Sequence, residues 1–144
     1  MISRLRGRVL DKTPNRLTID VEGVGYDVYV PLSTYYDVGA IGQELKLRIH
    51  THVRDDALQL FGFLTSLELE VFERLIATSG IGPKLAIAVL SGIEPQVLVT
   101  AVQQGDASRL TRVPGVGRKT AERIVLELKD RLAELSMPVK VAGP

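Results

Sequence analysis

The sequence predicts an α+β protein in which a small five-stranded β-barrel or sandwich precedes an all-helical module. Three observations carry this prediction: a switch of hydrophobic period near residue 64, turn signals between short apolar runs, and an internal repeat in the second half. The 144 residues suffice for one ordinary domain or two small ones. We expect a β module at 1–64, a helical module at 65–137 and the start of a flexible linker at 138–144.

The first half predicts strands because apolar and polar residues alternate in it. The runs 17–21, 24–30 and 45–50 each put every second residue on one apolar face. This period leaves one face of a sheet buried and the other in water. A short helical turn is expected at 32–37. The turn-forming clusters that separate the strands lie at 13–15, 22–23 and 39–42.

Apolar positions recur at helical spacing from residue 66 onward. Ser66 is the expected N-cap of the first helix, and Glu68 suits the positive end of its dipole. The last helix is expected to run over about 118–135 and to end at Ser136-Met137-Pro138. Its apolar stripe, which we assign to the core, consists of Ile124, Val125, Leu128, Leu132 and Leu135.

Two stretches of the helical half, Leu75 to Ala86 and Leu110 to Ala121, align without gaps. Both follow the pattern Leu-x4-Gly-h-Gly-x-Lys-x-Ala, in which h is aliphatic. The first glycine can adopt positive φ and end a helix. The second allows another backbone to approach the free N–H groups of the next helix, which form a phosphate site. The expected phosphate contacts in the two copies are these N–H groups together with Lys84 and Lys119.

A single Gly-x-Gly between helices is more often a plain helix–helix turn. A glycine-rich nucleotide loop is disfavoured because neither copy continues to Gly-x-Gly-x-x-Gly and no Gly-Lys-Ser/Thr follows. Lysine at the same offset in both copies favours phosphate binding instead. Two such hairpins would grip the two strands of a duplex across the minor groove, one hairpin per strand. We expect steep salt dependence and weak sequence preference.

The basic charge is concentrated rather than spread. The net charge is only +1, and residues 1–66 hold 8 basic and 8 acidic residues. Between 107 and 123, in contrast, five basic residues face the single acidic Glu122. A local excess of this kind favours contact with a polyanion. The five are Arg109, Arg112, Arg118, Lys119 and Arg123.

The composition argues against several classes. The chain has no cysteine, which excludes a disulfide framework and a thiolate metal site. No apolar run approaches 20 residues, so no transmembrane helix is expected. The basic N-terminus lacks the apolar stretch of a signal peptide. We expect a cytoplasmic protein without a cofactor or a metal.

Several motifs resemble the RuvA family of bacterial proteins that bind Holliday junctions. The resemblance covers nearly the whole chain. Its motifs are Met1-Ile2-x-Arg4-Leu5-Arg6-Gly7, Gly23-Val24-Gly25-Tyr26-x-Val28, Val53-Arg54-Asp55-Asp56-Ala57-x-x-Leu60-Phe61-Gly62-Phe63, Gly80-Ile81-Gly82-Pro83-Lys84-Leu85-Ala86 and Pro114-Gly115-Val116-Gly117-Arg118-Lys119-Thr120-Ala121-Glu122-Arg123.

The resemblance implies an OB-fold followed by two tandem helix-hairpin-helix motifs, with no catalytic activity. It implies a homotetramer, or two tetramers on the DNA, that binds a four-way junction without sequence preference. The junction is held open for branch migration by the RuvB ATPase in recombination and DNA repair, with the RuvC resolvase as a further partner. For the DNA contacts, the resemblance adds to Lys84 and Lys119 the glycines Gly80, Gly82, Gly115 and Gly117 and the arginines Arg118, Arg123 and Arg54.

The family continues through a linker into a third domain that binds RuvB. This chain stops at Pro144, within what corresponds to that linker. We therefore expect junction binding and tetramer formation but poor coupling to the ATPase.

Asp55 and Asp56 correspond to the family's acidic pin, in the loop before the last barrel strand. Four subunits would bring eight carboxylates around the fourfold axis, facing the phosphates at the junction centre. Like-charge repulsion would then help to part the strands. The family often has glutamate at the first position, and aspartate is one methylene shorter. The alternative is an ordinary polar hairpin turn.

Other interpretations stay open. His50 and His52 share one face of a strand and, with Asp55 and Asp56, suggest the metal site of a nuclease, although a two-metal site needs more convergent ligands. The helical half could also bind an acidic protein, which charge reversal at the two hairpin lysines would test. Base stacking is disfavoured, because Tyr26 is in phase with buried valines. The tyrosines concerned are Tyr26, Tyr29, Tyr35 and Tyr36.

Overall fold

A computed structural model describes residues 1–142 of the chain and the side chains of residues 1–132. The chain divides into two compact units between Leu69 and Glu70. The first unit holds all the strands and the second holds most of the helices, in the order that the sequence predicts. The division falls inside a helix rather than at Leu64, and each unit is described by itself below.

The first unit is a closed five-stranded barrel with the strand order β1-β2-β3-β5-β4. All neighbouring pairs are antiparallel except β3 and β5, which pair in parallel and close the barrel. This confirms the predicted OB-like barrel over a sandwich. The elements are β1 (Arg4–Thr13), β2 (Arg16–Val21), β3 (Val24–Tyr29), the short helix α1 (Leu32–Asp37), β4 (Glu44–Arg54) and β5 (Ala57–Phe63).

The period-2 pattern fills the barrel with aliphatic side chains. Leu45, Leu47 and Ile49 point into the core, whereas Lys46 and Arg48 between them are exposed. Removal of these apolar side chains from water is the main favourable contribution to folding of such a barrel. The core is completed by Leu5, Val9, Leu17, Ile19, Val28, Val30, Val38 and Leu60.

The second unit contains the end of α2 (Ser66–Ile76), α3 (Pro83–Gly92), α4 (Pro95–Gln104), α5 (Ala107–Leu110) and α6 (Arg118–Ala142). Pro83 and Pro95 stand in the first turns of α3 and α4, where the missing proline N–H has no intrahelical partner to lose. Ile124, Leu128 and Leu132 of the predicted α6 stripe are fully buried. Val125 is half-buried, and the Leu135 side chain lies outside the described residues.

The start of α2 differs from the prediction. The N-cap of α2 is Thr65, not Ser66. The Thr65 hydroxyl accepts the Glu68 N–H at 3.2 Å, and Glu68 Oε1 accepts the Thr65 N–H at 3.2 Å. These reciprocal bonds form a capping box, for which Thr-x-x-Glu is the sequence signature. Glu68 is therefore buried and paired rather than only near the helix dipole.

The end of α6 also differs, because the helix does not stop at Ser136-Met137-Pro138 but continues to Ala142. Proline removes one backbone donor from a helix, yet its fixed φ lies in the helical range. A single proline therefore weakens a helix without obliging it to end. The predicted linker at 138–144 overlaps this helix, and its last positions, 143 and 144, lie outside the described residues.

Among the described helices, none is by itself long and apolar enough to cross a membrane. Only α3 and α4 taken together reach that length and composition, across a bend of 97°.

Gly7 fixes how closely β1 approaches β2. A Cβ at Gly7 would overlap the backbone carbonyl of Asp20 and lie 3.0 Å from Ile19 Cγ2. We expect Gly7→Ala to lower the free energy of unfolding by about 1–3 kcal/mol, because backbone cannot move aside as a flexible side chain can. Gly25→Ala is the control, since its Cβ would meet Thr18 Cγ2 at an ordinary 3.7 Å. Equal effects in chemical denaturation would contradict this expectation.

Candidate nucleic-acid interface

The first repeat folds into a hairpin held by three backbone hydrogen bonds. The Thr78 N–H donates to the Leu75 carbonyl at 3.0 Å and closes the end of α2. The Ile81 N–H donates to the Thr78 carbonyl at 3.1 Å, which forms the turn. The Ala86 N–H donates to the Gly82 carbonyl at 3.0 Å, which is the first bond of α3. Ile81, the aliphatic residue between the two glycines, is buried in this hairpin.

The second repeat makes the same three bonds at the matching positions. The Val113 N–H donates to the Leu110 carbonyl at 3.1 Å, and the Val116 N–H to the Val113 carbonyl at 3.0 Å. The Ala121 N–H donates to the Gly117 carbonyl at 2.9 Å and begins α6. Val116 is as buried as Ile81. The gap-free sequence repeat is therefore a repeat of backbone geometry.

The two glycines of each hairpin meet different structural requirements. Gly80 has φ +80° and Gly115 has φ +91°, a region that other residues enter only with strain. Gly82 and Gly117 have no such requirement, and a Cβ at either position would meet no protein atom within 4 Å. The fold thus needs the first glycine of each pair. The second is needed only if something outside the protein comes close to it.

The starts of α3 and α6 offer donors for that outside group. In the part of the chain that the structure describes, no acceptor binds the N–H groups of Gly82 and Lys84, nor those of Gly117 and Lys119. The side chains of both lysines are exposed beside these amides. Free N–H groups at the positive end of a helix with a cation beside them form an anion site.

The helix α6 braces the first hairpin. Glu127 Oε1 accepts the Ser79 N–H at 3.2 Å, and Arg123 Nη1 donates to the Ser79 carbonyl at 3.4 Å. The Arg123 guanidinium also lies 2.9 Å from where a Gly80 Cβ would be. Arg123 was predicted as a DNA contact, and the structure gives it a second role as a support for the hairpin. Sequence reasoning missed Ser79 and Glu127, because no local pattern marks a pair so far apart in the chain.

The helix α3 packs on the second hairpin in a matching way. Leu85 Cδ1 lies 3.6 Å from the Cβ position of Gly115, and Val113 Cγ2 lies 3.2 Å from that of Gly92. Each hairpin is therefore held by the helix that follows the other one. Both hairpins therefore lie in the second unit and are held by contacts between its helices.

Exposed cations surround the second hairpin. Arg109, Arg112, Lys119 and Arg123 are exposed, and so is Arg118, whose only described acidic neighbour is Glu122 at 3.9 Å. Asp106, just before α5, is a further counter-charge and interacts with Arg109 and Arg112. A hydrogen bond from the Ser108 hydroxyl, with smaller contributions from the Arg109 N–H and the Arg109 and Arg112 charges, lowers the pKa of Asp106.

Arg54, Asp55 and Asp56 lie at the tip of the β4–β5 hairpin, with Arg54 paired to Ala57 across a two-residue turn. All three are exposed. Below the tip, Val53 and Leu58 face each other and are 58% and 60% exposed. The hairpin therefore projects beyond the packed barrel, and its two carboxylates point into solvent without a described partner.

The remaining candidates do not gather into a site. The His50 and His52 rings are 6.3 Å apart, and within the described residues no group of three His, Asp or Glu side chains is placed to hold a metal. Tyr26 and Tyr35 pack against the barrel core, as predicted for Tyr26. Tyr29 stacks on Phe61 with ring centroids 5.5 Å apart, whereas Tyr36 is largely exposed.

Each of the two units matches the model of a known protein family. Residues 1–62 match the RuvA N-terminal domain, and residues 72–130 match the SAM-like helix-hairpin-helix tandem. Three relatives are each named "Holliday junction branch migration complex subunit RuvA". That of Solibacter usitatus is 52% identical over 92% of this chain and 67% of the relative. That of Geobacter sulfurreducens is 50% identical over 95% and 69%, and that of Acidobacterium capsulatum is 50% identical over 100% and 73%.

The two classes of glycine separate in a stability measurement. We expect Gly80→Ala and Gly115→Ala to lower the free energy of unfolding by about 1–2 kcal/mol each, because a Cβ is strained at positive φ. For Gly82→Ala and Gly117→Ala we expect less than ~1 kcal/mol, the cost of a poorer N-cap residue. Chemical denaturation followed by circular dichroism measures both. A larger loss at Gly82 than at Gly80 would show that the fold, not a ligand, requires the second glycine.

Proposed function

The chain belongs to the RuvA family, and from that membership we propose that it binds four-way DNA junctions as a non-catalytic subunit of a branch-migration complex. One observation carries the proposal: two copies of one hairpin each combine a free helix N-terminus, a glycine open to the outside and an exposed lysine. Such a site binds a phosphate and reads no base.

Each hairpin would hold one strand of a duplex arm. A phosphate oxygen would accept N–H groups at the helix start, and the absent side chain of Gly82 or Gly117 would let the sugar-phosphate backbone approach. Lys84 and Lys119 would add charge-assisted hydrogen bonds. Arg118, and Arg54 on the barrel, would contribute further charge. Arg123 would do so while it continues to hold the first hairpin.

Preference for a junction over plain duplex requires more than these hairpins, because hairpin pairs grip either. We propose that four copies assemble around a fourfold axis, with two such tetramers facing each other on DNA as a further state. The exposed Asp55 and Asp56 would then surround the crossover. At roughly 4 Å, two like charges repel by about 1 kcal/mol even in water, so carboxylates there disfavour duplex at the centre and favour open arms.

Movement of the DNA would be driven by a partner. We propose the RuvB ATPase as that motor and the RuvC resolvase as a later partner, in the recombination and repair of bacterial cytoplasmic DNA. The barrel would serve assembly and the pin, the helical unit would grip the arms, and residues beyond 137 would begin the connection toward the motor-binding domain.

A competition experiment tests the proposal. A labelled four-way junction bound by the chain is challenged with excess linear duplex of the same arm sequence, at two salt concentrations and without divalent metal. We expect the complex to survive. Loss of the complex to duplex would leave a general duplex-binding protein and would remove the tetramer and the pin from the proposal.

Charge reversal identifies the grip in the same assay. We expect Lys84→Glu with Lys119→Glu to weaken junction binding at least about tenfold, or ~1.4 kcal/mol, and to lower the salt slope by about 2. The matched control is Lys129→Glu with Arg131→Glu, two exposed cations farther along α6. If the hairpin variant binds as well as the control, the hairpins are not the DNA grip.

For the acidic tip we expect the opposite effect on DNA binding, because its charge is negative. We expect Asp55→Asn with Asp56→Asn to bind duplex and junction more tightly and to discriminate less between them, since the repulsion at the centre is removed. Asp11→Asn with Asp37→Asn removes two exposed carboxylates elsewhere on the barrel and serves as the control. A junction-to-duplex affinity ratio unchanged from that of the unaltered chain would assign Asp55 and Asp56 to an ordinary turn.

A further inference from the structure

The outward face of β1 and β4 carries four neighbouring cations that are not part of the two helix-hairpin-helix sites. Arg4 lies directly opposite Arg48 in the strand register, and Arg6 lies opposite Lys46. All four side chains are exposed, whereas the residues that alternate with them turn toward the barrel interior. We name these four residues the β1–β4 basic face.

This arrangement is unfavourable for the isolated protein. Like charges directly opposite each other on neighbouring strands destabilise a sheet, and opposite charges stabilise it. The next pair along the same two strands, Arg8 and Glu44, combines opposite charges, which is the stabilising arrangement. Within the described residues, none of the four cations of the basic face makes an ion pair or a hydrogen bond. The fold therefore tolerates a repulsion that an external anion would relieve.

The surface at this face is concave. A depression of about 300 Å³ is lined by Ser3, Arg4, Lys46, Leu47, Arg48 and Leu64. None of the large apolar side chains exposed on the described chain belongs to this face. Protein interfaces have charge-depleted centres with aromatic and apolar anchors. Three of the four cations line this depression, together with the buried Leu47 and the half-buried Leu64, so its exposed lining is charged rather than apolar.

From these observations we infer that the β1–β4 basic face is a second contact surface for the phosphate backbone of nucleic acid, on the barrel and separate from the hairpins. Cations two residues apart on one strand are roughly 6.7 Å apart, and cross-strand Cβ atoms are about 5 Å apart. Each strand of duplex DNA presents one phosphate per ~3.4 Å of axis, so several phosphates fall within the span of the grid. Three of the four cations are arginines, whose planar fork binds a phosphate with two parallel hydrogen bonds.

The inference rests on the proposed function, because it assigns to the barrel a share of the same DNA. The test is the dependence of junction binding on salt concentration. Each phosphate contact contributes about 0.9 to the slope of log K against log salt. We expect Lys46→Thr with Arg48→Thr to bind more weakly and to lower that slope by roughly 1–2, for four-way junction and linear duplex alike. Threonine keeps the strand propensity of the two positions.

The control is Arg16→Thr with Lys129→Gln, which removes the same net charge from exposed positions off this face and off the hairpins. We expect its slope to equal that of the unaltered chain. An equal loss of slope in the control would show a long-range charge effect and would overturn the inference. An unchanged slope in Lys46→Thr with Arg48→Thr would also overturn it and would leave this face to an acidic protein.

Two further measurements keep the outcomes distinct. If the unaltered chain binds no DNA, the proposed function fails. If it binds and only the basic-face variant is unaffected, the further inference alone fails.

The Lys46→Thr, Arg48→Thr variant should be at least as resistant to heat as the unaltered chain at low salt, since a cross-strand repulsion is removed. Should the double variant not fold, Arg6→Thr on β1 removes one charge from the same grid and is expected to lower the slope by about 1.

Discussion

The site depends on one backbone constraint, the positive φ of Gly80 and Gly115. Each glycine lies in the turn between two helices, and three residues after it the next helix starts with its N–H groups directed away from any described acceptor. A residue with a Cβ would be strained at this positive φ. Without the turn, the free N–H groups at the start of the next helix would point in another direction. The buried aliphatic residue after each glycine holds the angle. The free N–H groups at both hairpins are therefore a consequence of how two helices are joined rather than of any single charged side chain.

Duplication adds rigidity to this constraint. The helix after the second hairpin supports the first through Arg123 and Glu127, and the helix after the first packs on the second through Leu85. These contacts couple the two helix starts, and the phosphate sites proposed there would keep a fixed separation, as the two strands of a duplex do. The barrel separates its charges in a different way. Its two pin carboxylates stand at the tip of the β4–β5 hairpin, while the cations of the basic face lie on the sheet of β1 and β4. In the proposed function, the acidic tip of this unit would repel phosphates and the basic face would attract them.

Much of this could be predicted from local patterns. The period-2 runs, the short helix at 32–37 and the repeat with its two glycines and lysine each depend on residues close in the chain, and the structure contains all of them. The errors were also local. Ser66 is a good capping residue in isolation, but Thr65 has Glu68 at the spacing that completes a capping box. Pro138 resembles a helix end, because proline removes a backbone donor and crowds the carbonyl four residues earlier, yet α6 continues to Ala142.

By itself the sequence determined the two-module order, the barrel's inner face and the hairpin motif, because hydrophobic period and glycine placement act over a few residues. Only the tertiary structure decided which glycine of each pair the fold requires and that Ser79 is held by Arg123 and Glu127. It also decided that Arg4 and Arg6 face Arg48 and Lys46. Strand register and helix packing bring together residues forty or more positions apart, and no local pattern encodes which distant residues will share a face.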